Sequence, residues 1–313
     1  MLYPIISLIL GLIVLVWSAD KFVFGAAGTA KNLGMSPLLI GLTIVSFGTS
    51  APEILVSIMA TIDNAGTLAI GNAIGSNIAN IALVLGITAL VAPLPVSSNV
   101  RSKEMPLMLA VTVIAGALMF NLKLDITDSI ILFIALIISL VIFAKFQQKE
   151  EPKEDEDIPT ISIATGVFWF VLGLILLIAS SKALVWGATQ IATSLGVSEL
   201  VIGLTIVAIG TSLPELAASV MSALKGHHEI AIGNVIGSNI FNLGAVMTIP
   251  ALVTTVDLQA EVFHRDYLLM LALSALLLTF CFLRNPAKIK RLEGSVFVAI
   301  YTAYMAVLYF TAI

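Results

Sequence analysis

A stretch of twenty residues occurs twice in this chain with few changes. Residues 41–60 read GLTIVSFGTSAPEILVSIMA, and residues 203–222 read GLTIVAIGTSLPELAASVMS. A second shared phrase follows each copy, GNAIGSNIAN at 71–80 and GNVIGSNIFN at 233–242, so both pairs have the same offset of 162 residues. A fixed offset of about half the chain is typical of an internal repeat. The sequence therefore predicts a fold built from two related halves.

The repeats lie in a chain whose composition predicts a membrane protein. Of 313 residues, 59% are hydrophobic and 11% are charged, whereas a soluble domain carries about 25% charged residues. Apolar windows of about 20 residues, long enough to cross a bilayer as a helix, occur ten times. They fall at 2–30, 38–61, 68–91, 105–121, 126–145, 161–192, 199–222, 230–254, 267–283 and 294–313. The predicted fold class is an all-α membrane protein with ten transmembrane helices in a lipid bilayer.

The polar segment QQKEEPKEDEDIP divides the chain near its middle. It lacks the spaced ligands and the turn glycine of a calcium-binding loop, so we interpret it as a solvated linker. The predicted organisation is a first five-helix repeat at 1–146, an acidic linker at 147–160 and a second five-helix repeat at 161–313.

The basic residues of the loops predict the orientation. Loops after odd-numbered helices carry eleven Lys and Arg, against two on the opposite side. By the positive-inside rule, these loops and the acidic linker are cytoplasmic and both termini are outside. Because five helices is an odd number, the second copy enters the bilayer from the opposite side. The expected architecture is an inverted-topology repeat in the cell membrane, with a substrate site near the midplane.

Charges also occur near the middle of the long first and sixth helices, at Asp20, Lys21 and Lys182. Tilted helices could bring these side chains to another helix or to the membrane interface. Snorkelling of the charged ends towards water explains the same residues, and both interpretations stay open.

Each copy of the repeat places one glutamate, Glu53 or Glu215, within an otherwise uncharged apolar segment. A carboxylate at the centre of a membrane helix costs roughly 2.5–3.5 kcal/mol even on insertion scales that give low penalties. Such a residue needs a partner or a function.

A proline precedes each glutamate, Pro52 and Pro214. Proline removes a backbone donor and clashes with the carbonyl four residues earlier. We therefore expect a bend that frees carbonyl oxygens from Ser46 to Thr49 and from Ala208 to Thr211, where they could bind a hard cation.

Further oxygen-bearing side chains recur at helical spacing. Thr49 and Ser50 precede Glu53 by four and three residues, so their hydroxyls are expected on its helix face. An all-oxygen set without His or Cys at ligand spacing favours Ca²⁺ or Na⁺ over zinc, copper or iron. The other members of this set are Thr211, Ser212, Ser76, Asn80, Ser238 and Asn242.

Structural roles explain single members of this set. Small residues such as Gly71, Gly75, Gly233 and Gly237, with Ser76 and Ser238, let membrane helices pack closely. Asn80 and Asn242 could form interhelical hydrogen bonds, and the two glutamates could be a protonated pair. Only a cation site explains the carboxylates, hydroxyls, prolines and glycines together.

Several functions are disfavoured. A net charge of −4 spread over membrane loops gives no field that would hold nucleic acid. The single cysteine, Cys281, has no disulfide partner. Ser50 and Ser212 have no nearby His or Lys as a base, so we expect no enzyme activity. No cofactor and no obligatory protein partner are expected.

At GTSAPE, GTSLPE, GNAIGSNIAN and GNVIGSNIFN the chain resembles the cation/calcium exchanger superfamily, specifically the compact prokaryotic sodium/calcium exchangers. The resemblance implies ten helices and a Ca²⁺ ion held by Glu53, Glu215 and the carbonyls of Thr49 and Thr211. It also implies Na⁺ sites that use Ser50, Ser212, Ser76 and Ser238, with the carbonyls of Ser46 and Ala208 at the outer edges.

One position departs from several relatives, including potassium-dependent exchangers. They carry aspartate where this chain has Asn242. One carboxylate fewer disfavours potassium cotransport without excluding it, and it leaves the number of Na⁺ ions open.

The predicted function is antiport of Na⁺ against Ca²⁺ by alternating access, with helices one and six moving across a core of helices two, three, seven and eight. Two alternatives stay open. A proton/calcium exchanger would protonate the same paired glutamates, and a cation channel would conduct without a counter-ion.

Overall fold

Helices form almost all of the structure, a computed structural model that describes residues 2–147, 161–196, 206, 208–283 and 286–312. Four two-residue strands complete this part of the chain: β1 (Leu94–Pro95), β2 (Lys123–Leu124), β3 (Val256–Asp257) and β4 (Lys288–Ile289). The helices are α1 (Leu2–Leu33), α2 (Pro37–Thr49), α3 (Ala51–Ile62), α4 (Gly66–Val91), α5 (Val100–Met119), α6 (Ile126–Gln147), α7 (Ile163–Ser194), α8 (Ala208–Thr211), α9 (Leu213–Leu224), α10 (His228–Val253), α11 (Val262–Phe282) and α12 (Arg291–Ala312).

Eight of the described helices are long and apolar enough to cross a membrane, namely α1, α4, α5, α6, α7, α10, α11 and α12. Helices α2 and α3 together make a ninth candidate span, which is bent by 42°. Of the span predicted at 199–222, α8 and α9 are described, whereas residues 199–205 and 207 lie outside the described residues. The linker predicted at 147–160 also lies outside them, apart from Gln147. An all-α membrane fold with about eight apolar spans is thereby confirmed.

Helices α5 and α11 begin five residues before the predicted spans. Their first turns, VRSKE and VFHRDY, are wide π turns. The spans were predicted from apolar windows, which leave out such polar turns. The backbone is nevertheless already helical there, so the predicted spans start too late.

The order of elements repeats. Helices α1–α6 with β1 and β2 are followed by α7–α12 with β3 and β4 in the same sequence. The halves exchange their strands, because β1 pairs with β4 and β2 pairs with β3, both antiparallel. Helix α12 packs on α4, and its counterpart α6 packs on α10. These strand pairings and helix contacts between the halves are therefore reciprocal.

The long helices α1 and α7 pack against each other along their length. Small residues allow this approach: a Cβ added at Gly173 would lie 2.6 Å from the Phe22 nitrogen, and one at Gly25 would lie 2.7 Å from the Gly166 carbonyl. Only 22% of each span is buried, against 78% for α4 and 83% for α10. The α1–α7 pair thus lies at the side of a core centred on α4 and α10.

One of the repeated glycines brings two helices into close contact. A Cβ added at Gly237 would lie 2.5 Å from the Leu42 carbonyl and 2.7 Å from Ser46 Cβ, so α2 and α10 are in backbone contact. The close-packing role considered for these glycines therefore holds at Gly237.

The variant Gly237→Ala is expected to lose about 1–3 kcal/mol of stability, because the new methyl group overpacks the α2–α10 contact. Thermal unfolding of the purified protein in detergent measures this loss. The control Thr302→Ala, at an exposed position of α12, should change stability by less than about 0.5 kcal/mol. Equal effects of the two variants would contradict the close packing at Gly237.

Candidate cation-binding site

Two glutamates lie at equivalent positions in the core. Glu53 is in the first turn of α3 and Glu215 is in the first turn of α9, and each is only 1% exposed. Both helices have proline at their start, where a missing N–H costs no helical hydrogen bond. The N-terminal end of each helix dipole also favours a negative side chain in its first turn.

The structure brings the two halves together at these glutamates. The carboxyl groups of Glu53 and Glu215 are close enough to interact electrostatically, and the hydroxyls of Thr49 and Ser50 lie beside the Glu215 carboxyl group. The Ser76 side chain lies beside the Glu53 carboxyl group. Helical spacing pointed only to the carboxylate of the same copy, and the packing of the two halves adds the carboxylate of the opposite copy.

Many polar atoms of this cluster are buried without a hydrogen-bond partner among the described residues. Burying a neutral polar group without a hydrogen-bond partner costs about 1–3 kcal/mol of stability, and burying a charged group in this way costs more. Oxygen atoms predominate, which are the ligands of Ca²⁺ and Na⁺. The atoms are both carboxylate oxygens of Glu53, Oε2 of Glu215, the hydroxyls of Ser50, Ser212 and Ser238, Oδ1 of Asn242, and both side-chain polar atoms of Asn80.

The two asparagines begin wide π turns at equivalent positions. The turns span Asn80–Leu85 in α4 and Asn242–Val246 in α10. In the second, the Met247 N–H donates to the Asn242 carbonyl five residues back at 2.9 Å. Such turns often occur at functional sites, and here both halves carry one.

A pair of hydrogen bonds fixes the Asn242 side chain. Its Nδ2 donates to Asn77 Oδ1 at 3.0 Å, and Asn77 Nδ2 donates to the Asn239 carbonyl at 3.1 Å. The bond to Asn77 fixes the orientation of the Asn242 amide and leaves Oδ1 as a buried acceptor. Asn77 was missed among the predicted site residues, although this asparagine recurs in both copies of the second phrase.

A second amide connects three helices. The Thr49 hydroxyl donates to Asn234 Oδ1 at 3.0 Å, while Asn234 Nδ2 donates to the Ser219 hydroxyl at 3.0 Å and to the Glu215 carbonyl at 3.4 Å. The end of α2 is thereby held against α10 and α9. Asn234 was also missed, and it too recurs in the repeated phrase.

The prediction that proline frees the Ser46 carbonyl is wrong. This oxygen accepts the Ser50 N–H at 3.0 Å. The physical reason is that Pro52 removes only the N–H that the Gly48 carbonyl would have received.

The second copy differs from the first at this bend. Ser212 N–H donates to the Ile209 carbonyl at 3.1 Å, and the Gly210 carbonyl accepts the Ser181 hydroxyl of α7 at 2.8 Å. Gly210, which was expected to face a cation, is thus satisfied by a neighbouring helix. Thr211 ends α8 and lines a cavity with Pro52 and Gly210.

No group of three or more His, Cys, Asp or Glu side chains that could hold a metal ion was found among the described residues. The two carboxylates and the neutral oxygens around them are the ligand types that a hard cation prefers.

Residues 3–145 and 165–310 match the family model of the sodium/calcium exchanger protein. The chain is 39% identical to the inner membrane protein YrbG of Escherichia coli, covering 91% of each, and 34% identical to the sodium/calcium exchanger MaX1 of Methanosarcina acetivorans, covering 97% of each. Its structure matches that of the sodium-calcium exchanger NCX_Mj with a TM-score of 0.86 and 33% identity, over 98% of this chain and 99% of that chain. The chain therefore belongs to the sodium/calcium exchanger family.

Proposed function

We propose that the protein is a secondary active antiporter that exchanges Na⁺ for Ca²⁺ by alternating access, with one site near the membrane midplane. The observation that carries this proposal is the pair of buried carboxylates, Glu53 and Glu215, which come from opposite halves and lie close enough to interact. The buried oxygens around them without hydrogen-bond partners in the described residues support the same site.

In this proposal each half contributes matching ligands. Glu53, Glu215 and the carbonyls of Thr49 and Thr211 hold Ca²⁺. The Na⁺ ions also use the hydroxyls of Ser50, Ser212, Ser76 and Ser238, the amide oxygens of Asn80 and Asn242, and the carbonyls of Ser46 and Ala208 at the outer edges. The Ser46 carbonyl keeps a second lone pair for this role.

Charge balance explains why transport would be an exchange. Two carboxylates about 5 Å apart repel by roughly 3 kcal/mol at an effective dielectric of about 20. One Ca²⁺ cancels this charge, and Na⁺ ions in overlapping sites reduce it. The empty site resists enclosure, so the protein changes sides only when it is loaded.

Coupling to Na⁺ is favoured over coupling to H⁺ by the neutral oxygens. A proton needs only the carboxylates, whereas the hydroxyls of Ser50, Ser212 and Ser238 are buried without partners among the described residues. These oxygens have a direct use as ligands of a monovalent cation.

The topology that we propose has ten membrane spans in two inverted five-helix repeats, at 1–146 and 161–313, joined by the acidic linker at 147–160. The reciprocal strand pairing and the reciprocal packing of α12 on α4 and of α6 on α10 support a twofold relation between the halves. In the cell membrane, the linker would be cytoplasmic and both termini outside, in line with the positive-inside rule.

The α1–α7 pair is the moving part in this proposal. Its helices contact each other along their length, but less of them is buried than of α4 and α10. Movement of the pair over the core would expose the site first to one side and then to the other.

Flux in proteoliposomes tests the function. An outward Na⁺ gradient is expected to drive uptake of radiolabelled Ca²⁺, and K⁺ or pH gradients in sodium-free buffer are expected to drive none. Uptake driven by a pH gradient alone would instead identify a proton/calcium exchanger. Single-channel currents without trans-stimulation would identify a channel.

A further inference from the structure

Two positions that are acidic in the first half of the chain are basic in the second half. Asp20 of α1 corresponds to Lys182 of α7 at the repeat offset of 162 residues, and Asp63 after α3 corresponds to Lys225 after α9. Each acid of the first half can therefore pair with a base of the second half. The first such pair is Asp20 with Lys225, and the second is Asp63 with Lys182.

The first pair is in contact. Lys225 Nζ lies 2.5 Å from Asp20 Oδ1, and Lys21 Nζ lies 3.4 Å from Asp20 Oδ2. The Asp20 and Lys225 side chains are 32% and 30% exposed. This ion pair joins α1 to the end of α9, and the two helices pack against each other.

The second pair is apart. Asp63 and Lys182 both line a cavity of about 660 Å³ between α3 and α7, and both side chains are exposed. Neither forms an ion pair within the part of the chain that the structure describes. Leu55 and Met59 form one wall of the cavity, and Ile178 and Val185 form the other.

We infer that these pairs are alternating contacts that stabilise the two end states of the exchange cycle. The Asp20–Lys225 pair stabilises the state described here. The Asp63–Lys182 pair forms in the other state, in which α7 lies against α3 and the cavity is closed. This inference rests on the proposed alternating access and assigns four residues outside the cation site to it.

The proposed movement breaks one contact as it forms the other. Because α1 and α7 pack along their length, movement of α7 towards α3 carries α1 away from α9. Five membrane spans lie between Asp63 and Lys225 in the proposed topology, so the two pairs lie on opposite sides of the membrane.

Partial exposure keeps each contact weak. An ion pair that is about a third exposed shifts the ratio of the two states by about two- to fivefold. Such a shift keeps both states accessible, so cation binding decides when the protein changes sides.

Cross-linking across the cavity tests the inference. The variant Met59→Cys with Val185→Cys, in a Cys281→Ala background, is treated with a short bifunctional thiol reagent in ion-free buffer. The cross-linking rate follows the population with a closed cavity. Adding Asp20→Asn is expected to raise this rate about two- to fivefold, and adding Asp63→Asn is expected to lower it about as much.

Two further variants complete the test. Asp20→Lys combined with Lys225→Asp restores the ion pair and is expected to restore the original rate. Asp257→Asn, which removes an exposed ion pair to Lys123, is expected to leave the rate unchanged. If the first cysteine pair does not fold, Leu55→Cys with Ile178→Cys spans the same cavity.

The inference is overturned if Asp20→Asn and Asp63→Asn leave the rate unchanged or move it in the same direction, or if the exchanged pair does not restore it. The assay needs no ion gradient. The expected cross-linking pattern without Na⁺-driven Ca²⁺ uptake would therefore refute the antiport proposal alone.

Discussion

Glu53→Gln and Glu215→Gln are each expected to abolish Na⁺-driven Ca²⁺ uptake. Either change removes one of the two charges that balance Ca²⁺ while keeping the size of the side chain. Removing one partner from a buried charge pair costs roughly 3–5 kcal/mol, which corresponds to more than about 100-fold in affinity. Initial rates of radiolabelled Ca²⁺ uptake in proteoliposomes measure the effect.

The control for this pair is Glu261→Gln, because Glu261 is exposed and lies outside the proposed site. Its uptake rate should equal that of the unchanged protein. Since the repeats contribute equally, the two site variants should fail alike. Uptake near the normal rate in either one would remove that glutamate from the site.

Asn77→Ala is expected to reduce both stability and Ca²⁺ affinity. The change leaves the Asn242 side-chain N–H and the Asn239 carbonyl without the partners they have now. Each lost partner in the buried core costs about 1–3 kcal/mol. Thermal unfolding in detergent and equilibrium Ca²⁺ binding measure the two effects.

The matched control is Asn239→Ala, the equivalent position in the second half. Within the described residues, the Asn239 side chain donates only to the Val235 carbonyl of its own helix, at 2.7 Å. The backbone carbonyl of residue 239 still accepts from Asn77 in this variant. A smaller loss of stability and an unchanged Ca²⁺ affinity are expected. If both variants weakened Ca²⁺ binding equally, the Asn77–Asn242 bond would not position the ligand.

Much of the fold could be read from the sequence because the signals were local and strong. Apolar length predicted the spans, and the repeated phrases predicted two related halves that the element order now displays. The starts of α5 and α11 were placed too late, because their first turns, VRSKE and VFHRDY, are polar. Hydropathy measures contact with lipid and does not report where helical hydrogen bonding begins.

The site was predicted less completely, because its contacts join residues far apart in the chain. Helical spacing grouped Thr49 and Ser50 with Glu53, yet their proximity to Glu215 depends on how the halves meet. The hydrogen bond from the Ser181 hydroxyl to the Gly210 carbonyl has no counterpart in the first half, because the position equivalent to Ser181 is Ala19. Repetition alone could not reveal a contact that only one half makes.

The account depends on a single Ca²⁺ site shared by both halves, and equilibrium binding of radiolabelled Ca²⁺ to the purified protein tests this most directly. One Ca²⁺ ion per chain is expected, displaced competitively by Na⁺ and lost in both Glu53→Gln and Glu215→Gln. Two Ca²⁺ ions per chain, with one surviving in each variant, would show separate sites in the two halves and contradict the account.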